Sequence, residues 1–342
     1  MKTKQKSKYQ RISEILTQEI QEGNFKKGER ITTIPQICER FGVSNIVARR
    51  VLQELSKQGL VVNKPGYGAV IARSSNVNKL MMFAPPTFNS ALEASPSTVF
   101  KLVSSIDGMC KQLGIEMIIV NSTEILMEEG QVVLFLYDFI NDVSWMIDKS
   151  RCKLIFVHSP KKIKNFNTVR HGLFEGAYLI TSHLISRGYK KIGYIGGLSF
   201  DWYIARFQGY LEALKQHGLG VNLEFVKETS GYEKEENHNA FKELFKMKDR
   251  PEAIFCSNDR RAIDILEYCE KEGIKVPGDI AIAGFDNIFE SECTNPQLTT
   301  VDTKLDEVGK QSVHLAIKIM EGEVETPADV LVSPELVIRE ST

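Results

Sequence analysis

Cysteine is sparse and scattered: Cys38, Cys110, Cys152, Cys256, Cys269 and Cys293 form no C-x-x-C pair. That spacing excludes a dense disulfide framework and a paired-thiol zinc site, and leaves reduced thiols, the pattern of a cytosolic protein. No apolar run approaches the ~18 residues needed to cross a bilayer. The longest, VVLFLY at 132–137, has the length of a buried strand. The lysine-rich N-terminus runs into a polar helical pattern without the apolar core of a signal peptide, so a cytoplasmic protein with no membrane partner is expected. The six histidines lack metal-ligand spacing. There is no G-x-x-x-x-G-K-[ST] loop, no G-x-S-x-G elbow and no H-E-x-x-H, and GYIGG at 193–197 is not a dinucleotide fingerprint. No catalytic residue, metal or cofactor is therefore expected, and the chain reads as a non-enzyme. Internal repeats and low-complexity tracts are also missing.

What is present is an ordinary globular composition, 42% hydrophobic and 25% charged, over 342 residues, long enough for two or three domains. The net charge of −1 conceals an asymmetry. Residues 1–73 hold 14 Lys/Arg against 6 Asp/Glu, a balance of +8, and the remainder holds 29 against 38, a balance of −9. A basic module joined to an acidic one points to a polyanion partner for the first alone.

The basic module reads as helix, helix, turn, helix, hairpin. Ile12, Ile15, Leu16, Glu19 and Ile20 recur at helical spacing, and Gly23 is a stop. Pro35 suits the first turn of the next helix, and Gly42 permits a sharp turn after it. Ser44 is the expected N-cap of a helix over 45–58 with Val47, Ala48, Val51, Leu52 and Leu55 as its apolar stripe. Two short β-type runs then flank Lys64-Pro65-Gly66-Tyr67-Gly68. This is the order of a winged helix-turn-helix. In such modules the N-terminal residues of the second helix meet base edges, which singles out Asn45, Ile46, Arg49 and Arg50. An arginine fork suits guanine or phosphate, and an asparagine amide suits adenine. Lys64 and Tyr67 on the wing are placed for phosphate or the minor groove. Lys2, Lys4, Lys6 and Lys8 form a basic arm adding salt-dependent affinity, or equally a solvated tail.

Residues 73–79, RSSNVNK, read as a linker. Beyond it, apolar runs (KLMMFA, EMIIV, VVLFLY, KLIFVH, KIGYIGG, FVKETS, AIFCS, IAIAGF) alternate with amphipathic stretches at 98–113, 174–187, 203–217, 234–247, 260–272 and 304–321. That alternation predicts an α/β architecture of parallel sheets covered by helices, in two lobes, preceded by the small α+β winged module. The domains expected are 1–73, a linker at 74–79, and 80–342. Within the last, one lobe covers about 80–158 with a return segment after 286, and the other about 159–285 with the C-terminal segment.

From YQRISEILTQEIQEGNFKKGERI through FGVSNIVARRVLQEL to GYGAVIA, the head resembles the DNA-binding domain of GntR-family regulators. The resemblance rests on Gly23, Gly28, Glu29 and Arg30, on Phe41-Gly42-Val43-Ser44, and on Gly66 and Gly68 at the wing tip. It implies DNA contacts from Thr33, Ser44, Asn45, Ile46, Arg49, Arg50, Lys64, Gly66 and Tyr67. Arg49 matches the family pattern, whereas Asn45 and Val47 depart from it, and Thr32-Thr33-Ile34-Pro35 replaces the usual Pro-Ser-Glu-Arg.

The stretches GAYLITSHLISRGYKKIGYIGG, ARFQGYLEALKQHG, AIFCSNDRRAIDILEYCEKEGIKVPGDIAIAGFDN and NPQLTTVDTKLDEVGKQSVHLAIKIMEGE resemble the effector core of LacI/GalR-type repressors, relatives of periplasmic sugar-binding proteins. Its pairing with a GntR-type reader resembles the arabinose repressors of Gram-positive bacteria. Ligands in doubly wound sheets sit beyond the carboxyl ends of strands, where Asn258 and Asp286 fall. The resemblance implies that Arg206, Asn258 and Asp286 face the ligand, with Tyr232 near the position of a stacking aromatic. Trp202 and Tyr203 read equally as pocket or lid surface, and Asp259 reads as the cap of the following helix. Where the family carries an Asp-Asn pair, this chain has Arg170-His171-Gly172-Leu173. The expected function is a DNA-binding repressor controlled by a small molecule, most simply a carbohydrate, acting as a homodimer on operator DNA. The alternatives are an α/β enzyme and a solute-binding protein.

Overall fold

The computed structural model describes residues 7–21, 25, 28–64, 68–71, 78–84, 96–137, 147, 149–230 and 233–342. The chain divides into two compact units. One holds 1–157, 165–167 and 309–328, and the other 158–164, 168–308 and 329–342.

In the first unit the head contains α1 (Lys8–Gln21), α2 (Ile34–Phe41), α3 (Asn45–Lys57) and the antiparallel pair β1 (Val61–Lys64) and β2 (Gly68–Ile71). Its core takes Ile12, Leu16 and Ile20 from α1, Ile37 from α2, Ala48, Val51, Leu52 and Leu55 from α3, and Val61, Ala69 and Ile71 from the hairpin. Ile15, expected in the α1 stripe, is exposed, and Glu19 binds Arg40 instead of packing inward. Three apolar positions per two turns suffice for this small core, so the fourth is left to solvent. The expected stop at Gly23 lies outside the described residues.

The rest of this unit carries a parallel sheet in the order β4 (Glu116–Val120), β3 (Lys79–Phe83), β5 (Val132–Leu136), β6 (Lys153–Ser159), with α4 (Pro96–Gln112) between β3 and β4. Every residue of β5 is buried, as expected for a central strand of a parallel sheet.

The second unit is built on a parallel sheet ordered β11 (Ala281–Ala283), β10 (Ala253–Cys256), β8 (Ile192–Gly196), β9 (Val226–Glu228). Alternate residues face opposite layers. Tyr194 and Phe255 pack with α5 (Leu173–Ser186) and α6 (Asp201–Gln216). Ile195, Ile254 and Ile282 pack with α7 (Lys234–Phe245) and α8 (Asp259–Glu272). α5 and α6 meet at Gly209, where an added β-carbon would overlap the Phe174 carbonyl oxygen and lie 2.8 Å from the Ala177 side chain. β7 (Asn167–His171) pairs in parallel with β13 (Asp329–Val332), and β12 (Thr300–Asp302) pairs antiparallel with β14 (Glu335–Val337). The helix α9 (Leu305–Met320) lies between β12 and β13 in the chain. The expected α/β class, with strand and helix in alternation, is the class found. No helix among the described residues is long and apolar enough to cross a membrane.

Candidate functional site

The head presents one face of α3 to solvent. Gly42 closes α2 in the left-handed region, at φ 60°, and its N–H donates to the Cys38 carbonyl, so the chain reverses within three residues. α2 itself starts with a capping box: Gln36 N donates to Thr33 Oγ1 (3.3 Å), and Thr33 N donates to Gln36 Oε1 (2.8 Å). Thr33, expected to reach DNA, thus uses its hydroxyl oxygen as an acceptor within its own helix. Ser44 occupies the N-cap position of α3 with extended backbone, but its hydroxyl makes no capping bond. The expected side-chain cap is absent, and the hydroxyl of this exposed residue is left to solvent.

Beyond Ser44, Asn45, Ile46, Arg49 and Arg50 are all exposed, and Ile46 is 79% exposed. Burial of Ala48, Val51, Leu52 and Leu55 on the opposite side forces this arrangement. The adjacent arginines differ. Arg50 lies over the Tyr9 ring, 4.4 Å from its centroid, whereas Arg49 makes no hydrogen bond, ion pair or ring contact among the described residues. Asn45 Oδ1 accepts from Cys38 Sγ at 3.3 Å. Gly68, at φ 97°, lies against the Arg30 guanidinium, leaving little room for a side chain there. Lys64 ends β1, while Gly66 and Tyr67 lie outside the described residues, as do Lys2, Lys4 and Lys6.

In the second unit Arg206 and Asp286 come together although 80 residues apart. Arg206 Nη2 donates to Asp286 Oδ1 at 2.7 Å, its Nη1 donates to the Ser257 carbonyl, and its guanidinium carbon sits 4.2 Å from the Phe285 ring centroid. Only 6% of Arg206 is exposed. Asp286 adopts φ 109° and Asn287 φ 51°, and the Asp286 N–H is held by the Val301 carbonyl at 2.9 Å. Burial raises the Asp286 carboxyl, against the opposing pull of Arg206.

The cap of α8 is Asn258, whose Oδ1 accepts from Arg261 N at 3.0 Å. Asp259, expected to cap, instead starts the helix and accepts from Ile288 N (2.9 Å) and from the Thr300 hydroxyl. The cap falls one residue earlier because the Asp259 N–H is taken by the Phe285 carbonyl, which turns its side chain toward the following loop. Burial, and then Asp286, push the Asp259 carboxyl up to about 8. Trp202 lies four residues before Arg206 on α6, half-buried and stacked on Phe200 with centroids 5.3 Å apart. Tyr232 lies outside the described residues.

Two features escaped the sequence reading. Arg261 is fully buried, donating to Thr229 Oγ1 and O (both 2.9 Å) and to Tyr203 Oη (3.3 Å), with its guanidinium over the Tyr203 ring. His171 is 3% exposed, lies tilted against His158 with centroids 4.1 Å apart, and has no hydrogen-bond partner at either ring nitrogen among the described residues. Burial, with His158 and Arg206 nearby, holds it well below the usual imidazole range. For His171 the signal was its place in the Arg170-His171-Gly172-Leu173 stretch that replaces the Asp-Asn pair; for Arg261 there was none. Among the described residues no cluster of His, Cys, Asp and Glu is arranged to hold a metal ion.

Comparisons with known proteins agree with both halves. Residues 8–71 match the family of bacterial regulatory proteins of the gntR type, and residues 181–342 match the periplasmic binding protein-like domain. The chain is 34% identical to the HTH-type transcriptional repressor PurR of Pasteurella multocida over 179 residues, 52% of this chain and 53% of PurR. It is 36% identical to the NTD biosynthesis operon regulator NtdR of Bacillus subtilis over 171 residues, 49% of this chain and 52% of NtdR. The matched part thus spans about half the length of these curated relatives. The structure of the transcriptional regulator CelR–cellobiose complex superimposes with a TM-score of 0.63 at 20% identity, covering 91% of this chain and 100% of that one, a likeness of fold.

Proposed function

We infer, from a chain that joins a GntR-type helix-turn-helix domain to a periplasmic binding protein-like domain homologous to those of PurR/LacI-type repressors, that the protein is a ligand-responsive, DNA-binding transcriptional repressor. The observation that carries this reading is the face of α3: a reading helix whose first turns are exposed, with Arg49 engaged by nothing among the described residues. We assign the DNA-binding head to 1–73, a linker to 74–79, and the effector and dimerisation core to 80–342. Two protomers place their α3 helices in successive major grooves of a pseudo-palindromic operator. Asn45 and Arg49 read base edges, Ile46 offers an apolar contact for a thymine methyl, and Arg50, braced on Tyr9, meets phosphate. A small molecule, carbohydrate-like in class, binds at Arg206, Asn258 and Asp286 with Trp202 as an aromatic wall. It regulates only through a difference in affinity between two conformations of the core.

The test separates the modules. Arg49→Ala should weaken operator binding by about 1–3 kcal/mol, measured by fluorescence anisotropy, and relax specificity at the base it reads, while leaving effector binding by calorimetry unchanged. Equal loss of both, with the fold intact by circular dichroism, would refute the mechanism.

A further inference from the structure

The two buried arginines, Arg206 and Arg261, are not partnered alike. Arg206 is paired with Asp286, but Arg261, wholly buried, is held by neutral oxygens alone, those of Thr229 and Tyr203. Of the two buried carboxyls nearby, Asp264 accepts from Asn237 Nδ2 and Asp259 is committed to Ile288 N and the Thr300 hydroxyl. Arg261 thus has no carboxylate bonded to it among the described residues, an expensive arrangement for a charge held away from water unless an anion lies near.

Two histidines flank the cluster. His171 buries both ring nitrogens without partners, and such orphaned groups in folded proteins call for an explanation. His158, half-buried, lies tilted at 34° against it and holds φ 63°, in the left-handed region that few non-glycine residues adopt. Strain of this kind gathers at binding sites. The charged groups near the pair are Arg206 and Asp286 on one side and the Arg170–Asp329 ion pair, with Glu175 beside Arg170, on the other. Asp286 and Asp329 are both occupied by arginines. Among the described residues no hydrogen bond joins His171 to a carboxylate.

We propose that His158 and His171, with Arg206, form the anion-recognising part of the effector site, so that the effector carries a carboxylate or phosphate group in addition to its hydroxyls. The inference rests on the reading of Arg206 and Asp286 as the effector site. An anionic oxygen meets the half-buried His158 first and reaches His171 by displacing that ring. It supplies the missing acceptor, offsets the Arg261 charge, and draws a proton from solvent onto the pair. A neutral polyol would satisfy the nitrogens and leave the charge; a cation would worsen it.

The test uses the full chain without DNA and matched probes: D-galactose with D-galacturonate, D-glucose with D-glucose 6-phosphate, and inorganic phosphate. One acidic probe should raise the melting temperature where its neutral counterpart does not, and which acid does so separates carboxylate from phosphate. The apparent affinity should rise from pH 8 to pH 6, by at most about tenfold per pH unit for one linked proton. Calorimetry in buffers of different ionisation heat should report proton uptake on binding. His171→Gln should weaken the acid by about tenfold, the loss of one charge-assisted hydrogen bond, and abolish the uptake. His158→Gln, a change at a half-buried residue, serves the same purpose should His171→Gln not fold. The proposal is overturned by neutral probes binding as well as acids, by an acid response surviving both variants, or by no probe in any pair shifting the melting temperature. Operator binding, assayed separately, reports on the regulator reading: its failure with the acid response intact would leave this proposal standing.

Discussion

Arg49 and Arg206 are the same side chain used in opposite ways. Arg49 stands exposed, its fork bonded to nothing among the described residues. Arg206 is buried, bonded to Asp286 and Ser257, and seated on Phe285. A reading head keeps its donors available because the partner is large, anionic and outside. A small-molecule site holds its donors in place beforehand, because a ligand of a few atoms cannot repay the ordering of loose side chains. The head is thus stabilised by residues that do not read, whereas the second unit is stabilised in part by residues of the site itself.

That contrast is sharpest in stability. Arg206→Ala leaves the half-buried Asp286 carboxyl without its partner and should cost about 1–3 kcal/mol in urea denaturation. Arg49→Ala should stay within about 0.5 kcal/mol. Comparable losses would erase the distinction. Next comes Asp259. Its carboxyl, pushed up to about 8, keeps its proton in the folded state where the unfolded chain, titrating near ~3.9, has lost it. Stability should therefore be greatest below about pH 4 as far as this group is concerned, and fall toward pH 8 by up to about 1.4 kcal/mol per pH unit. Asp259→Asn should flatten that slope in denaturation curves at pH 5, 6.5 and 8; an unchanged slope would mean the carboxylate is already ionised when folded. The smallest effect belongs to the head's scaffold. Thr33→Ala removes one arm of the capping box and should cost about 1 kcal/mol, with little change in operator affinity if Thr33 only caps. A larger loss of affinity than of stability would return Thr33 to the DNA contacts.

Much of this was legible because the second unit and the head bury strongly periodic segments. All eight apolar runs picked from the sequence contain strands, and the long amphipathic stretches are helices to within a few residues. β7 was not legible. Asn167-Thr168-Val169-Arg170-His171 has no apolar run, and its polar side chains are accommodated by specific partners: Asn167 Nδ2 donates to the Leu154 carbonyl at 2.9 Å, and Arg170 binds Asp329. Tertiary pairing, invisible locally, made it a strand. Adjacent arginines show the same limit. Arg260 is exposed and Arg261 wholly buried, as Arg49 is unengaged among the described residues and Arg50 braced on Tyr9. A step of about 100° around a helix decides each fate, and only the packed neighbours reveal which residue it favours. For the site, the motif positions singled out Arg206 and Asp286 as ligand-facing but not their ion pair, which bridges 80 residues; the exchange of roles between Asn258 and Asp259 depended on a carbonyl 26 residues away, that of Phe285.

Gly209 carries a mechanical consequence. Because α5 and α6 touch backbone to side chain there, with no room for even a methyl group, neither helix can slide or roll against the other without a clash. α6 carries Trp202 and Arg206, and α5 begins two residues after His171. The two helices therefore behave as one stiff plate, and a pull exerted on the Arg206 guanidinium is felt at His171 as displacement of a common body.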